Sequence, residues 1–262
     1  MPRFAANLSF MFAEEESLLD RFAAARGAGF SAVEYMFPYE EEPDAIRARL
    51  DENELEQVLF NLPAGDWSAG DRGTACDPDR VDEFRDGVER AREYARALEC
   101  ERINCLAGLR LDDRSYEEQW EVLVENVRHA AEALAEDGRT LLVEPVNSYD
   151  VEGFLIPYTA DVMRLLDEVD APNLRLQYDF YHAQKMEGNL CERFDELLDR
   201  IGHVQVADNP GRHQPGTGEI DYAFVFEHID GSGYDGWVGL EYAPDGDTRS
   251  SLAWVDSYGL KL

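Results

Sequence analysis

Four oxygen-bearing side chains follow short apolar segments in the second half of the chain. Glu144 comes directly after the run TLLV, and Asp179, Gln205 and Glu241 occupy comparable positions in LRLQYD, HVQVAD and GWVGLEY. Such a short apolar run is typical of a parallel strand that is buried on both faces of its sheet. Active sites of α/β proteins lie at the carboxyl ends of these strands, so the four side chains are candidates for chemistry.

The chemistry that these residue types suit is the binding of a divalent cation. Neighbouring parallel strands lie about 4.8 Å apart, so four consecutive strand ends can direct their side chains to one point. Three buried carboxylates would repel one another strongly without a cation between them. Hard oxygen donors suit Mg²⁺ or Mn²⁺ better than Zn²⁺. We therefore predict that Glu144, Asp179, Gln205 and Glu241 bind Mg²⁺ or Mn²⁺. The alternative for Gln205 is a structural amide that hydrogen-bonds a neighbouring strand.

Further polar residues follow the first three of these positions. They are Asn147, Asp150, His182 and Arg212, and we place all four on the rim of the predicted site as substrate-binding residues. His182 would donate a hydrogen bond to a substrate, with a packing histidine as the alternative. Arg212 would bind an anionic substrate oxygen, with a surface charge as the alternative.

These positions require strands that alternate regularly with helices. Apolar runs predict strands over residues 4–8, 32–35, 55–60, 102–107, 140–143, 174–178, 202–207 and 237–240. Helical spacing and end signals predict helices over residues 17–26, 43–53, 81–98, 115–136, 159–169, 189–198, 223–232 and 248–257. A loop over residues 61–80 separates the third strand from its helix, and a loop of that length is typically functional.

Strict alternation with short connections makes the strands parallel, and eight such units in 262 residues are enough to close a barrel. We predict an α/β fold in which residues 1–262 form a single-domain (β/α)8 TIM barrel. A doubly wound open sheet is the alternative, and the absence of GxGxxG after the first strand argues against its dinucleotide-binding form.

Composition excludes several classes of partner. The chain has 56 acidic against 24 basic residues, a net charge of −32, and this charge repels nucleic acid. No apolar run is long enough for a membrane span, and the start of the chain lacks the pattern of a signal peptide, so we expect a cytoplasmic protein. The acidic residues are spread along amphipathic helices, which predicts the surface of a salt-adapted protein.

Several long segments carry a resemblance to a known family. VEPVNSYD, QYDFYHAQKMEG, HVQVADNPGRHQPGTGEIDY and GWVGLEY, together with NLSFMF and FNLPAGDWSAGDRG, resemble the hydroxypyruvate isomerases among the xylose isomerase-like barrels. The resemblance implies that the four predicted ligands hold the metal and that Glu144 and Glu241 face each other across the substrate as acid and base. It also implies that His182 and Arg212 contact substrate oxygens, that Asp150 lies near the substrate, and that the protein forms a homo-oligomer.

The reaction implied by the resemblance converts hydroxypyruvate, a small anionic 2-keto acid, into tartronate semialdehyde (2-hydroxy-3-oxopropanoate). A proton moves between neighbouring carbons through an enediolate, for which two carboxylates and a divalent metal are suited. A related substrate, 2-oxo-tetronate or a ketose, is the first alternative. Metal-dependent hydrolysis of nucleic acid, as in endonuclease IV, needs a His-rich site and a basic face, which five His residues and the charge of −32 disfavour. A barrel that binds a metabolite without turnover is the non-enzymatic alternative.

Overall fold

The strands form a closed parallel barrel in which neighbours in sequence are also neighbours in space. The computed structural model describes residues 1–262. Each strand pairs in parallel with the next, and the eighth pairs with the first. The predicted (β/α)8 TIM barrel is confirmed, and the open-sheet alternative is wrong because the closed sheet has no edge strand. The strands are β1 (Arg3–Asn7), β2 (Ala32–Glu34), β3 (Glu56–Asn61), β4 (Arg102–Cys105), β5 (Thr140–Val143), β6 (Leu174–Asp179), β7 (Ile201–Val206) and β8 (Trp237–Leu240).

Ten helices surround the barrel. Three short 3-10 turns accompany them, two within the predicted long loop and one before β7. No helix combines the length and the apolar character that crossing a membrane would require. The helices are α1 (Leu18–Ala28), α2 (Pro43–Asn53), α3 (Val81–Leu98), α4 (Tyr116–Glu136), α5 (Thr159–Val169), α6 (Phe180–Met186), α7 (Leu190–Leu197), α8 (Tyr222–Ser232), α9 (Thr248–Ser251) and α10 (Ala253–Ser257).

Two helical segments differ from the prediction. No helix was predicted between the sixth strand and residue 189, but the chain forms α6 directly after β6, because the Asp179 side chain accepts the N–H of Tyr181 and caps the helix. The single helix predicted over residues 248–257 is two short helices. Leu252 separates them with a ψ of 0°, which departs from regular α-helical geometry.

The helices are held to the barrel by a continuous apolar core. This core is a cluster of 68 buried residues. Helix α4 shows how the sequence produces it, because Leu123, Val127, Ala130 and Leu134 recur every three or four residues and are completely buried. Such a packed outer layer gives the polar barrel interior a rigid support.

The register of the last strands brings the predicted site residues to one level. Asp179 on β6 lies opposite Gln205 on β7, and Gln205 lies opposite Gly239 on β8. Glu241 follows two residues after Gly239 and therefore points to the same face. A Cβ atom at Gly239 would lie 2.3 Å from Oε1 of Glu34, so glycine is required there to leave room for the buried Glu34 carboxylate.

Candidate active site

Three carboxylates and one imidazole meet at the carboxyl end of the barrel. Glu144 follows β5, Glu241 follows β8, Asp179 ends β6 and His182 lies on α6. One ligand-type atom from each lies within 4.8 Å of the others, and all four residues are buried. The structure thus brings together three of the four predicted metal ligands and one of the predicted substrate-binding residues.

One carboxylate oxygen of Glu144 accepts hydrogen bonds from the protein, and the other accepts none. Its Oε2 accepts hydrogen bonds from Asn104 Nδ2 at 3.2 Å and from Gln177 Nε2 at 3.0 Å. Its Oε1 is buried and accepts none. Burial raises the pKa of Glu144 well above its usual value, and the negative charges of Glu241 and Asp179 raise it further.

Asp179 has the same asymmetry. Its Oδ1 accepts the N–H of Tyr181 at 2.7 Å, whereas its buried Oδ2 accepts no hydrogen bond. Burial raises the pKa of Asp179 to about 6, although the positive charge of Arg212 acts in the opposite direction. The start of helix α6 therefore fixes one oxygen and leaves the other unpartnered.

Glu241 is the carboxylate of the cluster that forms an ion pair with an arginine. Arg212 Nη2 forms an ion pair with its Oε2, and Asn7 Nδ2 donates to its Oε1 at 3.2 Å. Burial raises the pKa of Glu241 to about 7, and Arg212 opposes that rise. Arg212 also lies 4.0 Å from Oδ2 of Asp179, so its charge is shared between two members of the cluster.

His182 is a neutral donor that faces the carboxylates. Its Nδ1 accepts the backbone N–H of Asn147 at 3.2 Å, which places the ring proton on Nε2. Burial lowers the pKa of His182 well below its usual value, so the ring is uncharged. Nε2 lies 3.6 Å from both Glu144 Oε1 and Asp179 Oδ2. In this tautomer His182 offers a proton at Nε2 instead of a lone pair, which suits a hydrogen-bond donor better than a metal ligand.

Gln205, the fourth predicted ligand, has both ends of its amide engaged within the barrel. Its Oε1 accepts from Gln177 Nε2 at 2.6 Å, and its Nε2 donates to Glu34 Oε1 at 2.7 Å. The other oxygen of Glu34 lies 2.7 Å from Nε2 of the buried His203. Gln205 thus belongs to a buried network that reaches Glu144 through Gln177, and its role as a ligand stays a prediction.

The two predicted rim residues that follow β5 have different surroundings. Asp150 lines the central cavity and accepts hydrogen bonds from Lys185 Nζ at 2.5 Å, Tyr181 Oη at 2.7 Å and Asn147 Nδ2 at 3.0 Å. Burial acts to raise the pKa of Asp150, but these hydrogen bonds lower it to about 2. Asn147 is not among the cavity-lining residues; it lies behind the rim, where it holds both Asp150 and His182.

The cluster opens into a cavity of about 320 Å³, which is near the lower end of the range for small-molecule sites. Half of the residues that line it are apolar. The lining residues are Phe10, Met36, Asn61, Trp67, Arg72, Leu106, Glu144, Val146, Asp150, Val151, Phe154, His182, Arg212 and Glu241.

The cluster fits a divalent metal. Two buried carboxylate oxygens, Glu144 Oε1 and Asp179 Oδ2, accept no hydrogen bond within the protein, although such atoms are normally satisfied. Burial raises the pKa of Glu144 and Glu241, the charge of Asp179 raises both further, and a cation would remove that cost. The donors are hard oxygens, which Mg²⁺ and Mn²⁺ prefer.

Comparison with known proteins agrees with this geometry. Residues 22–258 match the model of the family described as xylose isomerase-like TIM barrel. The chain belongs to this family. It is 48% identical to hydroxypyruvate isomerase of Escherichia coli K12 over 98% of this chain and 100% of that protein. It is 45% identical to 2-oxo-tetronate isomerase of Cupriavidus necator, over 98% and 99% of the two chains.

One solved crystal structure has almost the same backbone as this chain. The crystal structure described as an AP endonuclease, family 2, from Brucella melitensis superposes with a TM-score of 0.95 at 44% identity, covering 98% of this chain and 99% of that one. The resemblance to hydroxypyruvate isomerases is confirmed by the curated relatives, and the prediction that the chain is an isomerase is confirmed with it.

Sequence reasoning did not identify the residues that support the cluster in this xylose isomerase-like barrel. Glu34, Asn104 and Gln177 are buried polar residues on strands, and each contacts a predicted ligand. A signal was present for one of them, because Gln177 stands two residues before Asp179 and side chains two apart on a strand share a face. Trp67 and Arg72 also went unassigned, although both lie in the long loop that was singled out as functional.

Proposed function

We propose that the chain converts hydroxypyruvate to tartronate semialdehyde by metal-dependent proton transfer through an enediolate. The observation that carries this proposal is that Glu144 and Glu241 line one small cavity and form a compact cluster with Asp179. The curated relative named hydroxypyruvate isomerase supports the choice of substrate. Glu144, Asp179, Gln205 and Glu241 would hold Mg²⁺ or Mn²⁺. A bound divalent ion supplies the electrophile that stabilises the negative oxygens of an enediolate.

Glu144 and Glu241 are the proposed proton-transfer groups. They extend from β5 and β8, which β6 and β7 separate in the barrel, so they approach the cavity from different sides. One carboxylate removes the proton from C3 of hydroxypyruvate, and the same or the facing carboxylate returns a proton to C2; the C3 hydroxyl gives up its proton and the C2 oxygen gains one, so that C3 becomes the aldehyde and C2 carries the hydroxyl. The Oε1 of Glu144 accepts no hydrogen bond from the protein, so it is open to a metal ion or to the substrate. Burial raises the pKa of both groups, that of Glu241 to about 7, which suits groups that both accept and donate protons.

The rim residues would position the substrate. The Nε2–H of His182 is directed toward the carboxylate cluster and would donate to a substrate oxygen that enters it. Arg212 would keep Glu241 ionised. It would also donate a hydrogen bond to the substrate oxygen that His182 contacts. Asp150 lies on the cavity wall, where hydrogen bonds from Lys185 and Tyr181 hold it in one orientation. Asn147 would fix His182 in its donor tautomer.

A second substrate, 2-oxo-tetronate, is supported by the relative that is named for it. An assay of the Mg²⁺- or Mn²⁺-loaded protein on short 2-keto acids and ketoses separates the two. We expect the highest kcat/KM for hydroxypyruvate. A higher kcat/KM for 2-oxo-tetronate or a ketose would transfer the assignment to that substrate, and absence of turnover on every member of the panel would refute the isomerase proposal. The cytoplasmic location and the homo-oligomer stay predictions.

A further inference from the structure

The proposed substrate carries a carboxylate, yet the proposed site is dominated by negative charge. An anion that enters a cavity beside three carboxylates in a chain of net charge −32 is favoured by a cation with free hydrogen-bond donors, in addition to the proposed metal. Two arginines, Arg72 and Arg212, line the cavity, and no lysine does. The nearest lysine, Lys185, donates to Asp150 at 2.5 Å and to Tyr181 at 3.2 Å.

Arg212 is already committed to the carboxylate cluster. Its Nη2 pairs with Glu241 Oε2, its Nε donates to the backbone oxygen of Glu241 at 3.3 Å, and its guanidinium also lies near Asp179. Moving Arg212 to a substrate carboxylate would leave Glu241 buried without its counter-charge, which is costly. Arg212 therefore neutralises the protein's own acids, and only its Nη1 is left to donate to a substrate oxygen.

Arg72 has no such commitment. Its Nη1 donates to the backbone oxygens of Asp71 at 2.7 Å and Trp67 at 3.2 Å, and neither its Nε nor its Nη2 donates to a protein atom. No carboxylate pairs with it, whereas ion pairs are frequent for the other arginines of this acidic chain. Its guanidinium carbon lies 4.0 Å from the centre of the Trp67 ring, in a cation–π contact that leaves Nε and Nη2 free to donate to a ligand.

The loop that carries Arg72 is fixed at both ends, so its position on the cavity wall is built in. The side chain of Asp66 accepts the backbone N–H groups of the next turn, at Ser68 and Ala69. At the other end, Gly73 has a φ of +115°, and a Cβ there would lie 2.2 Å from the backbone oxygen of Leu106. Only glycine allows this close approach to the segment after β4.

We propose that Arg72 binds the carboxylate of the substrate and thereby selects short 2-keto acids over neutral ketoses. This inference rests on the proposed function and assigns a specificity residue to the same site. The guanidinium of Arg72 packs against Trp67 and has no carboxylate partner in the protein. Its Nε and Nη2 lie side by side, which is the geometry that binds a carboxylate through two hydrogen bonds. The loop over residues 61–80 is then the segment that determines specificity for a negatively charged substrate.

The test compares Arg72→Met with a control that removes the same charge elsewhere. Methionine keeps an unbranched apolar side chain for packing on Trp67. Arg110→Met is the control, because Arg110 is exposed and does not line the cavity. Both variants and the unchanged protein are assayed on hydroxypyruvate and on dihydroxyacetone, the neutral triose that has a hydroxymethyl group in place of the carboxylate. Calorimetry with pyruvate, which cannot isomerise because it lacks the 3-hydroxyl, measures carboxylate binding separately.

We expect Arg72→Met to reduce the preference for hydroxypyruvate over dihydroxyacetone by about 10- to 100-fold, with KM for hydroxypyruvate rising, because a charge-assisted interaction is lost. The Kd for pyruvate should rise by a similar factor, and Arg110→Met should change neither ratio. An unchanged preference and an unchanged pyruvate Kd in Arg72→Met would overturn the inference. An equal loss of kcat/KM on hydroxypyruvate and on dihydroxyacetone would overturn it as well. If the unchanged protein does not turn over hydroxypyruvate but Arg72→Met still weakens pyruvate binding, the proposed reaction is refuted. The role of Arg72 in binding a carboxylate is supported in that case.

Discussion

Replacing Gln177 with Met tests whether the buried amides position the metal ligands. The two hydrogens of the Gln177 amide are both used, one on Glu144 Oε2 at 3.0 Å and one on Gln205 Oε1 at 2.6 Å. Gln177 therefore bridges two predicted ligands on either side of β6. Methionine has a similar length and no donor, so the substitution removes both hydrogen bonds while retaining the packing.

The size of the effect follows from the two contacts that are lost. A hydrogen bond to a charged group contributes about 1.5–3 kcal/mol and one between neutral groups about 0.5–1.5 kcal/mol. Their sum predicts that the free energy of unfolding falls by about 2–4.5 kcal/mol, and Tm by about 4–18 °C at this chain length. Because Glu144 and Gln205 lose their common support, we also expect Mg²⁺ or Mn²⁺ affinity to fall about 10- to 100-fold, as is typical when the partner of a metal ligand is removed.

Gln57 provides a matched control for this substitution. It is a buried glutamine on β3 whose Nε2 donates to the backbone oxygen of Leu59 at 2.6 Å, and it has no hydrogen bond to the carboxylate cluster. Gln57→Met should lower Tm without changing metal affinity. Titration calorimetry measures the affinity, and thermal unfolding measures stability with and without metal. If Gln177→Met bound Mn²⁺ as tightly as Gln57→Met does, the positioning role of Gln177 would be refuted.

Three further predictions concern stability. Hydrogen bonds from Arg92 and Arg96 lower the pKa of Asp137, so its contribution is present above a pH of about 4 and is lost as the pH falls. Asp137→Asn should therefore reduce the urea-unfolding free energy by about 1–2 kcal/mol near neutral pH, and a loss that is equally large in strong acid would contradict this cause. Gly73→Ala should lower Tm by several degrees because of the contact with the backbone oxygen of Leu106, and an unchanged Tm would show that the loop can move. Tm should rise between low and multimolar potassium chloride because salt screens the repulsion of 56 acidic residues; no rise would refute salt adaptation.

The regular part of the fold could be predicted because its signals are local. Helices α3 and α5 and strand β8 have the predicted bounds, since periodic apolar residues mark each of them. Helix α6 was missed because seven residues are too few for a periodic pattern. Its start signal, Asp179, was also interpreted only as a strand-end ligand, although it caps the helix with one oxygen and faces the cluster with the other.

The carboxylates of the candidate site could be predicted from the sequence, but the buried residues that hold them in place could not. Glu144 and Glu241 could be found because each follows an apolar strand, and barrel topology then brings such strand ends together. The contact between Glu34 and His203 joins residues 169 positions apart, so it exists only once the barrel closes. Gln205 shows the same limit, because the sequence predicts a ligand and leaves a structural amide as the alternative, and the fold shows both ends of that amide engaged.

Proton transfer by the two glutamates is tested most directly by following hydroxypyruvate in deuterated water. Proton NMR of the metal-loaded protein would measure both the formation of tartronate semialdehyde and the entry of solvent deuterium at C2. We predict turnover with deuterium incorporation, and a fall in rate of at least about 100-fold in Glu144→Gln and in Glu241→Gln when calorimetry shows that each still binds metal. Turnover retained in both variants with metal bound would contradict the assignment of these residues as the acid and the base.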